Sequence, residues 1–351
     1  MNVLRVCFLC VLLAGMSVMA LGQKVGTTSL QFLKVMPTAR ATAMGDAYVA
    51  MAGGADAPFW NPAAMKSATM QELSTTMTIW MFDTRQSALG YVLPLGEIGV
   101  FGVQLQYVDF GSIEETRVDH LMFVGAPGAQ VYNPGLTGKD FSPRSYVVGL
   151  SYARQLTERF SAGVTAKYVR ESLFDASSVT IRIPGQGGGS FTEETYATHA
   201  DVVLYDFGMR YLTGYRTIRI GATVQNFGPQ VTFAKEEHNA PMMFRLGVAG
   251  DVVGQNALLA EDPDNRVTLA YDILQPNDYL QQMHLGAEYA FRDLLSLRAG
   301  YRFNYDTDGL TLGGGLRTDF AGFGFTLDYS YGTMGEFLPK VHRISLGALL
   351  K

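Results

Sequence analysis

The chain has 351 residues, room for two domains or one large one, and only 17% are charged against roughly 25% in an ordinary soluble domain, while Gly (39), Phe (21) and Tyr (18) are plentiful. With 27 Lys and Arg against 32 Asp and Glu the net charge is −5, which argues against a nucleic-acid binder, since that would carry a basic face. Few charges and many aromatics suit a surface that largely meets lipid.

At the N-terminus, Arg5 precedes an apolar run from Val6 to Leu21, and Ala20, Leu21 and Gly22 form a small-x-small cleavage site before Gln23. Residues 1–22 are therefore expected to be a signal peptide. The run is short for a spanning helix, and no later segment approaches the roughly 20 apolar residues that such a helix requires. Both cysteines, Cys7 and Cys10, lie in this leader, so the mature chain would need neither disulfide nor thiolate chemistry. Cys10 follows Phe8 and Leu9, where a lipoprotein signal wants a small residue. Loss of Arg5 leaves 26 basic residues against 32 acidic ones, a balance of −6. Residues 23–69 read differently from the remainder of the chain, with Ala39, Ala41, Ala43, Ala47, Ala50, Ala52, Ala55, Ala57, Ala63 and Ala64 in a Gly-punctuated stretch. This segment is expected either to fold into a pore as a plug or to form a periplasmic tail.

From about Met70 to Lys351 one pattern recurs about fourteen times: ten residues alternating apolar with polar or glycine, then a turn. In 295–305, Leu295, Leu297, Ala299, Tyr301, Phe303 and Tyr305 point one way, and Ser296, Arg298, Gly300, Arg302 and Asn304 the other. The segment 322–331 does the same, with Phe323, Phe325, Leu327, Tyr329 and Tyr331 set against Gly322, Gly324, Thr326, Asp328 and Ser330. Strands are predicted at 70–82, 85–93, 98–109, 144–155, 159–171, 201–212, 216–226, 242–251, 265–274, 280–291, 295–305, 309–318, 322–331 and 341–350. Even-numbered links are short, such as 156–158, 213–215, 292–294 and 319–321, and the long ones (110–143, 172–200, 227–241) are odd-numbered. This parity is that of a barrel inserted from the periplasm with both termini inside. Only 252–264 dissents, as either a large periplasmic turn or a slip in the count.

The reading is all-β: a 14-stranded antiparallel transmembrane β-barrel over residues 70–351, because closure in lipid satisfies every backbone group. A secreted sandwich is the alternative, but it would present a polar outer face. Here the apolar face is aromatic-rich on nearly every strand. Gly149, Gly163, Gly208, Gly221, Gly247, Gly286, Gly300, Gly313 and Gly315 fall on the inferred inner face, which suits a lumen that holds something. Lys167, Arg219, Arg245, Arg266, Asp272, Glu288, Arg298, Arg302, Arg317 and Asp328 would also point inward. They read either as a polar conduit or hatch-binding wall, or as charges that pair with one another and with the plug.

More specific than periodicity is ARATAMGDAYVAMAGGADAPFWNPAAM, from Ala39 to Met65. Ala39, Arg40, Ala41, Met44, Gly45, Ala47, Tyr48, Val49 and Ala50, then Trp60, Asn61, Pro62 and Ala63, fit the form ARAxxMGxAYVA followed by WNPA. This resembles the N-terminal signature shared by FadL-type long-chain fatty acid transporters and their PorV/PorQ relatives. The stretch from Phe141 to Leu173 resembles the fourth and fifth strands of the PorV/PorQ branch. The resemblance covers essentially the whole mature chain. It implies a FadL-like fourteen-stranded barrel with an N-terminal hatch, here 23–69, in the lipid of a bacterial outer membrane. It also implies no catalysis and no cofactor, and a role in type IX secretion: receiving cargo by its C-terminal targeting domain at a translocon and delivering it to surface attachment machinery. The FadL side implies the alternative, passive transport of fatty acids or other hydrophobic small molecules. The chain departs from the pattern in its ISLGALLK ending, without a terminal aromatic, and in a longer 110–143 loop.

Other chemistry is not indicated. His120, His199, His238, His284 and His342 stand on separate loops or strands without metal-like spacing. There is no GxSxG elbow, and Gly185–Ser190 (GQGGGS) lacks the Lys-Ser/Thr of a phosphate loop and reads as a loop tip. Asn304, Asp306, Asp308 and Gly309 resemble the start of a calcium loop, but Gly315 stands where a bidentate carboxylate is needed, so Asp308-Gly309 reads as a hairpin turn. The long outer loops are the expected contact surface.

Overall fold

A computed structural model describes residues 25–184, 191–307, 309–320, 322–336 and 338–350; the expected signal peptide, the GQGGGS tip and Asp308 lie outside them. Among the described residues fourteen antiparallel strands close into a barrel. In order around the wall they are β1 (Gln71–Ile79), β2 (Arg85–Pro94), β3 (Val100–Asp109), β6 (Arg144–Thr157), β7 (Phe160–Ser172), β10 (His199–Leu212), β11 (Arg219–Phe227), β14 (Met243–Val253), β15 (Asn265–Pro276), β16 (Gln282–Phe291), β17 (Leu295–Phe303), β18 (Leu310–Phe320), β19 (Phe323–Gly332) and β20 (Val341–Leu350). β1 pairs with β20 from Gln71↔Leu350 to Ile79↔His342, which shuts the cylinder and removes its edges. The strands stand where the alternation puts them, to within a few residues. The link after β14 is a genuine large turn, tied by bonds such as Leu258 N to Asp251 O (2.9 Å), and the count does not slip.

The dyad repeat produces two unlike faces. Leu295, Leu297, Tyr301 and Phe303 are exposed on the outside, where lipid makes apolar exposure free of cost, while Arg298 and Arg302 on the same strand are buried inside. Tyr305 departs from the expected outward set. Asn304, in the left-handed region (φ 63°), ends β17 and turns Tyr305 inward, where its hydroxyl meets His284 Nε2 at 2.8 Å.

Each of the three longest links carries a hairpin that the alternation did not reveal: β4 (Ile113–Val124) with β5 (Val131–Phe141), β8 (Ser178–Pro184) with β9 (Phe191–Ala197), and β12 (Val231–Phe233) with β13 (Glu236–His238). In β4–β5 the register shifts twice, between Glu114 and Thr116 and again between Thr116 and Leu121, which scrambles the dyad pattern. These hairpins rise at one mouth, and the short turns ring the other. The barrel begins and ends at the short-turn mouth. The chain ahead of it does not: Thr28 bridges Asn239 beside β13, and Ser29 N donates to Asn239 O at 3.1 Å. The expectation of both termini on the short-turn side therefore holds for the barrel alone, because the preceding segment threads the bore lengthwise.

Candidate functional site

The bore is filled by residues 25–69, built from two short helices, α1 (Ala39–Ala43) and α2 (Ala57–Trp60), and 3-10 turns at Gln31–Lys34, Gly54–Asp56 and Pro62–Ser67. Its alanines let it pack in a narrow space. Ala39, Ala41, Ala43, Met44, Ala47, Tyr48, Val49, Ala57, Trp60, Asn61, Ala63, Ala64 and Met65 are all buried.

Where this backbone touches the wall, the wall is glycine. Pairing sets three glycines directly opposite three others: Gly163↔Gly208, Gly221↔Gly247 and Gly286↔Gly300. A Cβ on Gly163 would stand 2.5 Å from Ala63 N, one on Gly221 2.5 Å from Val49 O, and one on Gly286 2.5 Å from Met44 O. One on Gly300 would overlap Gly45 N and Met44 C. Gly45 itself has φ +64° and backs onto Tyr301 N, so a side chain is barred from both sides of that contact. Gly313 meets Ala43, whereas Gly149 and Gly315 instead make room for wall side chains, Gln104 in one case and Asp328 with Arg298 in the other.

The signature residues are fasteners. Asn61 Oδ1 accepts from Ala63 N (3.1 Å), while its Nδ2 donates to Val49 O (3.0 Å) within the segment and Met209 O (3.1 Å) on the wall. Pro62 follows as the first residue of the turn, where its missing N–H costs nothing. Trp60 Nε1 donates to Thr38 Oγ1 at 2.8 Å, and its ring meets Tyr48 edge-on at 5.5 Å. Serines and threonines on the wall finish the helix: Ser345 Oγ accepts from Ala39 N (3.0 Å), and Thr311 Oγ1 donates to Ala43 O (3.1 Å).

The inward charges divide into those that hold the segment and those that hold the wall. Asp272 accepts from both Tyr48 N and Val49 N at 2.8 Å. Glu288 takes two bonds from Arg40 (2.9 and 2.8 Å) and one from Arg298 (2.6 Å), which also bonds Asp328 at 2.5 Å. Burial makes each of these charges costly alone, and the chain of four neutralises itself. Arg302 contacts Asp46 at 3.2 Å, and Arg266 contacts Asp293 at 2.9 Å. Within the wall, Lys167 bonds Asp206 (2.7 Å) and Asn226 (2.5 Å), and Arg219 stands 3.9 Å from Asp251. Arg245 lies 5.2 Å over the Trp60 ring. Arg317 is exposed at the short-turn mouth, where with Arg210, Arg219, Glu72 and Asp328 it lines a polar cavity of about 400 Å³. Asp206, Arg210, Asp251 and Arg343 also face inward, and strand parity would have found them.

At the opposite mouth, Asp278 in the β15–β16 turn anchors the start of the segment. It accepts from Thr28 Oγ1 (2.5 Å), Gln31 Nε2 (3.0 Å) and Lys34 Nζ (2.5 Å). Burial pushes its pKa up, but the hydrogen bonds from Lys34, Thr28 and Gln31 outweigh that and hold the carboxyl below its ordinary value. Next to this latch lie an apolar cavity of about 240 Å³, lined by Phe32, Val35, Trp80, Met81, Val108 and Phe110, and one of similar size lined by polar and apolar groups alike.

A family model described as type IX secretion system protein PorV matches residues 19–275. No curated protein matches the chain. Among solved structures it is similar to the toluene transporter TbuX of Ralstonia pickettii, at 14% identity and a TM-score of 0.53 over 88% of this chain and 96% of that one. It is similar to the toluene transporter TodX of Pseudomonas putida at 15% and 0.53, over 88% and 96%. It is also similar to the CymD monoaromatic hydrocarbon channel at 13% and 0.51, over 90% and 96%. At such identities the likeness is one of fold.

Proposed function

We propose that this chain, which belongs to the PorV family of type IX secretion system proteins, receives secreted cargo by its C-terminal targeting domain and passes it from translocon to surface attachment machinery. It is a bacterial outer-membrane protein, and its family and fold are those of a secretion or transport barrel rather than of an enzyme class. In this reading residues 23–69 are a hatch that stoppers the bore, fastened by Gly45, Tyr48, Trp60, Asn61, Pro62 and Ala63, and residues 1–22 are the leader. The observation that carries it is the family match together with a bore occupied by the chain's own segment, which moves recognition of a polypeptide to the outer loops.

The β4–β5 hairpin suits that task. Its tip exposes Leu121, Met122, Phe123, Val131 and Tyr132, with Phe123 and Val131 65% and 68% exposed, and such a patch on an otherwise polar loop is characteristic of an interaction site. Deleting residues 113–141 is expected to leave the barrel inserted and to reduce cargo secretion and attachment. Cargo attachment at the wild-type level in that strain would refute the proposal.

A second reading, passage of hydrophobic small molecules, is favoured by the apolar cavity beside Phe32 and Trp80. It requires saturable binding of a long-chain fatty acid to the purified barrel. Absence of a saturable signal would count against it.

A further inference from the structure

The cavity of about 240 Å³ at the long-loop mouth that is lined by polar and apolar groups alike has Arg245, Arg302 and Arg343 on its wall with Lys34 and Trp80 beside them. Not all of these charges are committed alike. Lys34 is bonded to Asp278, Arg302 contacts Asp46, and Asp306 at the rim accepts from Tyr279 Oη at 2.5 Å. Asp272, on the strand next to Arg245, has one carboxylate oxygen taken up by two backbone N–H groups of the segment, and its other oxygen has no hydrogen-bond partner and makes no bond to Arg245. Arg245 is different. It is 2% exposed, and its Nε and Nη1 have no hydrogen-bond partner.

A buried guanidinium with two unanswered N–H groups is costly unless an acceptor joins it. Water can accept from such groups but leaves the buried positive charge unneutralised, which an anion does not. The planar fork of donors of a guanidinium matches the forked oxygens of a carboxylate or phosphate, and Arg302 and Arg343 add positive charge to the same cavity wall. We propose that this cavity is a binding site for an oxyanion of that type, with Arg245 as its buried anchor. The apolar cavity alongside shares Val35 and Trp80 with it, so an alkyl chain attached to the anion would have a place to lie.

The site carries its own reporters. The chain has 2 tryptophans, and each lies under an arginine of this cavity: Arg245 is 5.2 Å over Trp60, and Arg343 is 5.4 Å over Trp80. Tryptophan emission of the full barrel in non-ionic detergent is followed while inorganic phosphate, acetate and dodecyl phosphate are titrated in turn. A saturable change with at least one probe is expected, weakened about tenfold or more in Arg245→Gln and partly kept in Arg245→Lys. Tighter binding of dodecyl phosphate than of phosphate identifies an amphiphile's headgroup as the source, and equal affinity identifies a free anion. No saturable change with any of the three, or equal affinity in a folded Arg245→Gln barrel, overturns the proposal. Should Arg245→Gln not fold, the wild-type protein decides: iodide quenching of Trp80, the half-buried tryptophan, must be relieved by the bound probe, and quenching left unrelieved overturns the site.

Discussion

Replacing Gly300 with alanine tests whether the wall is shaped to its segment. The new Cβ would overlap Gly45 N and Met44 C and stand 2.6 Å from Gly45 Cα. All three are backbone atoms, so no rotamer relieves the overlap. Sliding toward the neighbouring strand is blocked as well, because Gly286 opposite already has Met44 O against it. Overpacking of a tight site costs about 1–3 kcal/mol, and a backbone-to-backbone clash belongs at the top of that range. About 3 kcal/mol charged to the seating of Met44 and Gly45 corresponds to a roughly hundredfold increase in local opening. Hydrogen exchange read by mass spectrometry should therefore show residues 39–50 exchanging faster in Gly300→Ala, while the strands stay protected. Gly314→Ala is the control, since its Cβ would meet nothing nearer than Ser296 O at 3.5 Å. Exchange in Gly300→Ala matching both wild type and Gly314→Ala would refute the argument that glycine pairs seat the segment.

In planar bilayers the full-length protein should show no large steady conductance, whereas deletion of residues 39–66 should open one; a large steady current from the intact chain would sink the stoppered bore. Asp278 supplies a pH dependence. Its folded pKa is depressed, so its stabilisation is complete above the unfolded value of about 3.9 and is lost as pH falls through the folded value. Protease sensitivity near residues 25–36 should rise only in strong acid, and Asp278→Asn should show the sensitive state already at neutral pH. Equal protection of Asp278→Asn and wild type at pH 7 would remove the latch.

The barrel was legible because each wall strand alternates between lipid and lumen, so a local pattern reports a global position. Legibility failed where that coupling fails. Asn304 breaks the strand and sends Tyr305 inward, and the twice-shifted register of β4–β5 leaves no dyad to read. The inner glycines could be placed on a face from sequence, but not that Gly163 meets Gly208, or that Gly286 meets Gly300, because register between strands is set by the whole sheet. Asp278 sits in a turn, where parity says nothing, and its partner Lys34 lies 244 residues away. Asn61 was visible as a motif, but its double duty to Val49 and Met209 appears only once the wall is in place.

Closure by the β1–β20 seam bears on how the molecule is made. The first stave of the cask is continuous with its contents: the chain leaves the 3-10 turn at Ser67 and enters β1 at Gln71, while Thr28 already lies at the far rim. Pulling Trp60, Tyr48 and Arg40 lengthwise through a finished hoop would mean dragging bulky groups past a glycine track cut for alanines. Were β1 joined to β20 last, closure would instead enclose a segment already laid against the staves, and assembly of the wall and packing of its hold would be one event.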